Sequence, residues 1–516
     1  MRNNILALYF IVLISTLTYS QKRGSWGDQG NGTYINPIIN ADYSDPDVIR
    51  VGNKYYMICS EFHYMGMTIQ ESEDMVNWKI IGQIYNRLDF PAYDAFKRYA
   101  GGSWAPAILF HDNKFWVYFC TINEGLFMTS ANNPEGPWSP LLLVKNIEKW
   151  EDPCPFWDDD GQAYLGHSVH GAGPIIIHKM SADGTKLLDE GKTVYTGPVA
   201  EGTKIYKRNN YYYLSIPEGG VSEGWQTILR SKNIYGPYEK RVVLEKGSTP
   251  INGPHQGAIV DNPNGEWWFY HFQSAGALGR VLHLQPMFWH DDWPVIGIDI
   301  DRNGIGEPVS VWKKPNIEGN FPIIAPQSDD EFNTPHLGFQ WQWNHNPINS
   351  NWSLKDKKGW LVLKAKKATN IMEAYNTLTQ KVMGNTGEVT VQIDVKDMIS
   401  GQKAGLSSMS KVYNSIGVKN HQGKLYVFFE GKDKKYEEVM ISNKTIFFKL
   451  KLDFIQQKNH FFYSTDNKNF KAIGPDFNAE FSYWKGSRIA LFSYNELTDG
   501  GSTAFNFFHY NYDGPK

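Results

Sequence analysis

The stretch DDDGQAYLGHS, Asp158 to Ser168, runs from a polar turn into an aromatic strand, and the same pattern returns along the chain. It recurs as VGNKYYMICS from Val51, HDNKFWVYFC from His111, KRNNYYYLSI from Lys207 and NPNGEWWFYHF from Asn262. Asn, Asp and Gly supply the turn because they tolerate the backbone angles of tight hairpins, and the Tyr, Trp, Phe and Val that follow favour strands. A further strand and turn come after each copy, as in TIQESEDMVNWKII from Thr68 and TILRSKNIYGPYEK from Thr227. Intervals of about 50 residues leave room for one four-stranded antiparallel meander per copy, and no sustained helical period interrupts them. Five copies therefore predict an all-β chain that begins with a five-bladed β-propeller, over residues 30–318. A single sandwich of many strands is the competing fold, and the regular return of turn, aromatic strand and turn counts against it.

The texture changes near Ala325. GEVTVQIDV, GKLYVFFEG and TIFFKLKLD alternate apolar with polar residues, and STAFNFFHYNY supplies a last strand. Alternation of this kind predicts a β-sandwich, here over residues 325–516. Trp341 and Trp343 are either part of its core or surface contacts for glycan.

Fifty-one basic and 54 acidic residues leave a net charge of −3, which excludes the basic footprint of a nucleic-acid binder. Neutral partners suit the chain better, and 18 Trp and 29 Tyr offer flat faces of the kind that sugar rings stack on. The opening MRNNILALYFIVLISTLTYSQ has one positive charge, an apolar run and small residues near Ser20. It predicts a signal peptide over residues 1–20 and export to the periplasm or the medium. No segment is long and apolar enough to predict a membrane span. Three cysteines, Cys59, Cys120 and Cys154, cannot all pair, and two lie in strand-like runs, so buried free thiols are expected.

Counting back six or seven residues from each repeated turn reaches Asp45, Trp104, Asp152, Glu201 and His255. In a propeller these residues belong to the innermost strands and converge on one axial funnel. Asp158, Asp159 and Asp160 fall in the turn itself and read as solvated, and strand alternation predicts that Glu151 points away from Asp152. Buried carboxylates are costly unless they are paired or used, so three around one funnel indicate chemistry. Glycosidic hydrolysis needs such a set: an acid for the leaving oxygen, a carboxylate on the opposite face, and a third charge to keep the acid protonated.

At these residues the chain resembles glycoside hydrolase family 43. The matching motifs are YSDPDVIRVGNKYYM, GGSWAPAI, WEDPCPFWDDDGQAYL, VAEGTKIYKRNNYYYL, GPHQGAIVDNPNGEWW and GRVLHLQPMFWHDDWPVIG, in the family's order. The resemblance implies an inverting hydrolase with Asp45 as general base, Glu201 as general acid and Asp152 as the residue that orients that acid and raises its pKa. It further implies sugar contacts at Phe62, Trp104 and Arg280. His63, beside Phe62, departs from the commoner family pattern and either reads a substrate hydroxyl or turns to solvent. His255 is either a hydrogen-bonded core histidine or the residue that faces a calcium ion through water. DEFNTPHLGFQWQWNHNP resembles the lectin-like sandwich attached to many β-xylosidases and arabinofuranosidases of the family, a loop of which closes the pocket into an exo-acting site. The activity implied is an exo-β-D-xylosidase acting on oligosaccharides from plant or algal polysaccharide. An α-L-arabinofuranosidase is the alternative on the same scaffold, and a non-catalytic glycan-binding propeller the alternative of another class. The oligomeric state is left open.

Overall fold

The computed structural model describes residues 24–431 and 436–516, so the expected signal peptide lies outside the described residues. Five four-stranded antiparallel sheets follow one another between Asp47 and Ile296. Their first strands are Asp47–Val51, Trp104–His111, Trp150–Trp157, Lys204–Arg208 and His255–Asp261. These strands pack beside one another around a ring in which the fifth meets the first. Arg50 joins them there, with Nη2 2.8 Å from Asp261 Oδ2, and Tyr270 OH donates across the same seam to Met75 O. The repeated aromatic strand is the second strand of each sheet and buries its rings between blades, among them Tyr55, Tyr118, Tyr213 and Tyr270. The chain is thus an all-β propeller followed by a sandwich.

The triple-aspartate turn needs one correction. Asp159 and Asp160 are exposed, but Asp158 is not solvated: its carboxylate accepts from Lys207 and from Tyr212 OH in the next blade. The turn in blade three is therefore also a tie to blade four. All three cysteines are buried and free. No helix among the described residues is long and apolar enough to cross a membrane.

From Gln342 to Tyr512 two large sheets stack face to face. Thr386–Asp394 and Thr445–Asp453 show why: Val389, Val391 and Ile393 of one strand and Ile446, Phe448, Leu450 and Leu452 of the other alternate inward. Trp341 and Trp343 are 2% and 7% exposed, which makes them packing residues. Trp343 also pairs with the propeller, its carbonyl accepting from Met65 N at 2.8 Å.

The two domains are joined by a buried set of charges. Glu61 of the propeller meets Lys381 at 2.8 Å and Arg488 at 3.2 Å, both from the sandwich. Lys485 lies 3.5 Å from Asp42 and 3.6 Å from Glu61, and its Nζ donates to Ser60 O at 2.6 Å. All five side chains are at least nine-tenths buried. Glu61 precedes Phe62 and Ser60 touches Asp45, so this seam is continuous with the funnel.

Candidate active site

Each blade enters the funnel through a kink. Asp45, Ala105, Asp152, Gly202 and Gln256 adopt φ of 53°, 30°, 56°, 62° and 43°, the left-handed region that costs any residue but glycine. The strand ladder slips there, between Trp104 and Ala107, Glu151 and Cys154, and His255 and Gly257. A slip of this kind is a β-bulge, which turns two consecutive side chains to one face. Alternation therefore fails at the one place where the sequence argument relied on it. The residues before each kink are Ser44, Trp104, Glu151, Glu201 and His255, so Glu151, and not Asp152, is the blade-three counterpart of Trp104, Glu201 and His255. Asp152 corresponds to Asp45.

The structure thus brings Glu151 into the funnel. One carboxylate oxygen each of Glu151, Asp152 and Glu201 lies within 4.8 Å of the other two. Asp152 is held by Ser168 Oγ, by the Gly202 amide at 2.8 Å and by Gln256 Nε2 at 3.0 Å. Gly202 is required for that amide: a Cβ there would sit 2.8 Å from Pro217 and 2.9 Å from Gln256. Burial and the charge of Glu201 push Asp152 up to about 6, against the pull of Ser168 and Gly202. Burial, then the charges of Asp152 and Glu201, push Glu151 up to about 9. Burial also raises Glu201, but the hydrogen bond and charge of His255, with Nε2 2.7 Å from Oε1, outweigh it and leave Glu201 below its ordinary value. Of this trio Glu151 is therefore the carboxyl on which a proton is most strongly favoured.

Asp45 is linked to the sandwich through Ser60, whose carbonyl accepts from Lys485 Nζ. Ser44 Oγ donates to it at 2.7 Å, Ser60 Oγ donates as well, and Arg280 Nη1 approaches at 3.2 Å. The Arg280 guanidinium also stacks 4.7 Å from the Phe272 ring centre, which fixes it under the carboxylate. Phe62 and Trp104 meet edge to face at 4.8 Å and make an aromatic corner. His63 is placed in the contact between the domains: Nε2 lies 2.8 Å from Asn344 Oδ1 and the ring stacks on Tyr99. His255 spends Nε2 on Glu201, while its Nδ1 is buried without a partner.

Two contributors had no sequence signal. Trp484, 48% exposed, comes from a tight sandwich turn and stands 6.5 Å from Trp104 and 5.8 Å from the Arg280 guanidinium, roofing the funnel. His170 stands edge-on to Trp104 at 5.0 Å. Lys485, next to Trp484, anchors the roof through the buried charges described above. No periodicity could have linked Trp484 to Trp104, 380 positions away, or Lys485 to Ser60, 425 positions away.

Five blades that aim paired acids, an arginine and an aromatic corner into one funnel define a carboxylate-based glycoside hydrolase. The family model "Glycosyl hydrolases family 43" matches residues 34–294, and "Beta xylosidase C-terminal Concanavalin A-like domain" matches 329–511. The chain belongs to glycoside hydrolase family 43. A Xylanibacter ruminicola protein with a provisional β-xylosidase name is 55% identical over 90% of this chain and 87% of its own. A β-xylosidase of Formosa agariphila is 41% identical over 96% and 93%. Among solved structures, the GH43 protein BlXynB of Bacillus licheniformis superposes with a TM-score of 0.81 at 26% identity, covering 93% of this chain and 99% of that one. A bifunctional GH43-CE protein of Bacteroides eggerthii gives 0.83 at 31% identity; 92% of this chain matches 63% of that longer one.

Proposed function

We propose that this hydrolase is an exo-acting β-D-xylosidase that releases terminal xylose from oligosaccharides of plant or algal polysaccharide with inversion. The observation that carries the chemistry is the funnel set of Asp45, Asp152 and Glu201; the names of the relatives at 55% and 41% identity support the sugar. Asp45, fixed by two serines and Arg280, is the general base that activates water. Glu201 is the general acid, and a sugar that separates it from His255 removes the contact that keeps it ionised. Asp152 orients Glu201 and raises its pKa. Phe62, Trp104 and Arg280 bound the terminal sugar, with His63 behind them as a support. A Bacteroides ovatus relative named as a non-reducing end α-L-arabinofuranosidase, 30% identical over 64% of this chain, favours arabinofuranose as the second reading. Hydrolysis of nitrophenyl β-D-xylopyranoside and α-L-arabinofuranoside side by side decides between them. Proton NMR of the first sugar released tests inversion, and retention of the anomeric configuration would overturn it.

Asp152→Asn supplies a sharper check on the division of labour. The Glu201 charge raises Asp152, and by reciprocity the Asp152 charge raises Glu201. Removing it lets Glu201 lose its proton at lower pH, so the basic limb of the kcat/KM profile moves to lower pH by about one unit. An unmoved limb would remove the assigned role.

The buried, unpartnered Nδ1 of His255 is suited to a water of a hydrated calcium ion, since hard Ca²⁺ prefers oxygen ligands. Such an ion would stabilise the funnel. Chelation is then expected to lower the thermal midpoint by a few degrees (~2–3 kcal/mol for a well-filled site); an unchanged midpoint in protein free of bound calcium would exclude it. The sequence Met1–Gln21 supports work outside the cytoplasm.

A further inference from the structure

Glu151 is the funnel acid that the reaction as assigned leaves without a task. It stands in blade three where Trp104, Glu201 and His255 stand in theirs, one residue before the left-handed kink. Its side chain is 6% exposed; the backbone of Ala172 stabilises the carboxylate, and Oε1 has no hydrogen-bond partner of ordinary geometry. A buried carboxyl oxygen without such a partner is costly unless a group that binds beside it supplies one. The other oxygen, Oε2, lies 3.2 Å from His170 Nδ1, and that imidazole is 39% exposed at the rim, braced edge-on by Trp104.

The pair's position relative to the other acids says what should enter. Asp45 and Arg280 hold the water-activating side, beside Ser44 and Ser60. Glu201 must face the glycosidic oxygen, because that is where its proton goes. Glu151 adjoins Glu201 and Asp152, and His170, 39% exposed, stands beyond it, so the pair flanks the acid assigned to the departing sugar's oxygen.

Resting on the reading of Glu201 as general acid, we propose that Glu151 and His170 form a clamp for the leaving group: Oε1 of Glu151 and the open edge of His170 hydrogen-bond ring hydroxyls of the sugar that departs. They are positioning residues, setting where the glycosidic oxygen lies against Glu201. The ligand class is a polyhydroxylated pyranose or furanose, and a flat aryl alcohol would not satisfy the pair. Burial and the neighbouring negative charges keep a proton on Glu151, so it can donate as well as accept. Glutamine has both capacities and is the conservative replacement.

Equilibrium binding separates the clamp from any effect on proton transfer. In full-length protein carrying Glu201→Gln, the affinities for a pentose disaccharide and for the free pentose are compared with and without Glu151→Ala. The disaccharide should weaken about tenfold, the size of a lost hydrogen bond in a buried site, and the monosaccharide at least fivefold less than that. Glu151→Gln should restore most of the difference. His170→Ala, at a part-exposed position, provides the same comparison should Glu151→Ala fold poorly. If both sugars weaken equally, or neither does, the clamp is overturned while the assigned reaction stands. If neither sugar binds the Glu201→Gln protein at all, the reading of the pocket fails and the clamp falls with it.

Discussion

Glu201→Gln is expected to lower kcat/KM for a natural disaccharide by about 10³- to 10⁴-fold, and that for the matching nitrophenyl glycoside by at least tenfold less. The asymmetry comes from the leaving group. A sugar alkoxide departs slowly unless it is protonated as the bond breaks, whereas nitrophenolate departs without that help. Glutamine keeps the shape and the hydrogen bond that Glu201 makes with His255 but has no proton to give. Asp45→Asn provides the contrast, because water must be activated whichever group leaves; its loss should be of the same order on both substrates. Equal losses from Glu201→Gln on both substrates would show that Glu201 is not the leaving-group acid. A strong asymmetry at Asp45 instead would exchange the two roles.

The repeat made the propeller legible because each copy brings its own turn residues and its own aromatic strand, both local signals. The sandwich was legible from alternation alone. The acids were found by the same count, but the count placed Asp152 where Glu151 belongs. Alternation assumes an unbroken ladder, and a left-handed residue breaks it once per blade. The correction was present in the sequence as a finer alignment: Ser44-Asp45-Pro46, Trp104-Ala105-Pro106 and Glu151-Asp152-Pro153 align on their prolines, which sets Glu151 under Trp104. Asp158 misled for a different reason, since a turn aspartate and a buried inter-blade acceptor have the same sequence signature. His63 read as a pocket residue by position and lies against Asn344 of the other domain. Trp484, Lys485 and the partners of Glu61 are long-range facts that no local pattern encodes.

Those long-range facts carry the second large expectation. Glu61→Ala should destabilise the protein by about 3–5 kcal/mol, because Lys381, Lys485 and Arg488 would be left at a dry seam with Asp42 as their sole carboxylate among the charges described. The cations already outnumber the anions there by three to two, and burial lowers Lys381 to about 8 even with Glu61 present. Ring faces offset part of the excess: the Arg488 guanidinium lies 4.1 Å from the Tyr64 centre and Lys381 4.9 Å from Tyr43. Burial pushes Glu61 up, but Lys381, Lys485 and Arg488 outweigh it and hold it below its ordinary 4.5. A depressed carboxylate contributes stability above its unfolded value and loses that contribution as pH falls through its folded one. The wild-type seam should therefore weaken below about pH 4.5, and Glu61→Ala should remove that part of the acid transition. Urea unfolding at pH 7 and at pH 4 measures both effects. Activity should fall with stability, since Lys485 anchors the turn that carries Trp484 over the funnel and its amine reaches Ser60, which in turn holds Asp45. A loss below about 1 kcal/mol, with the acid transition unchanged, would mean that water reaches this seam and that the sandwich is held by its apolar contacts alone.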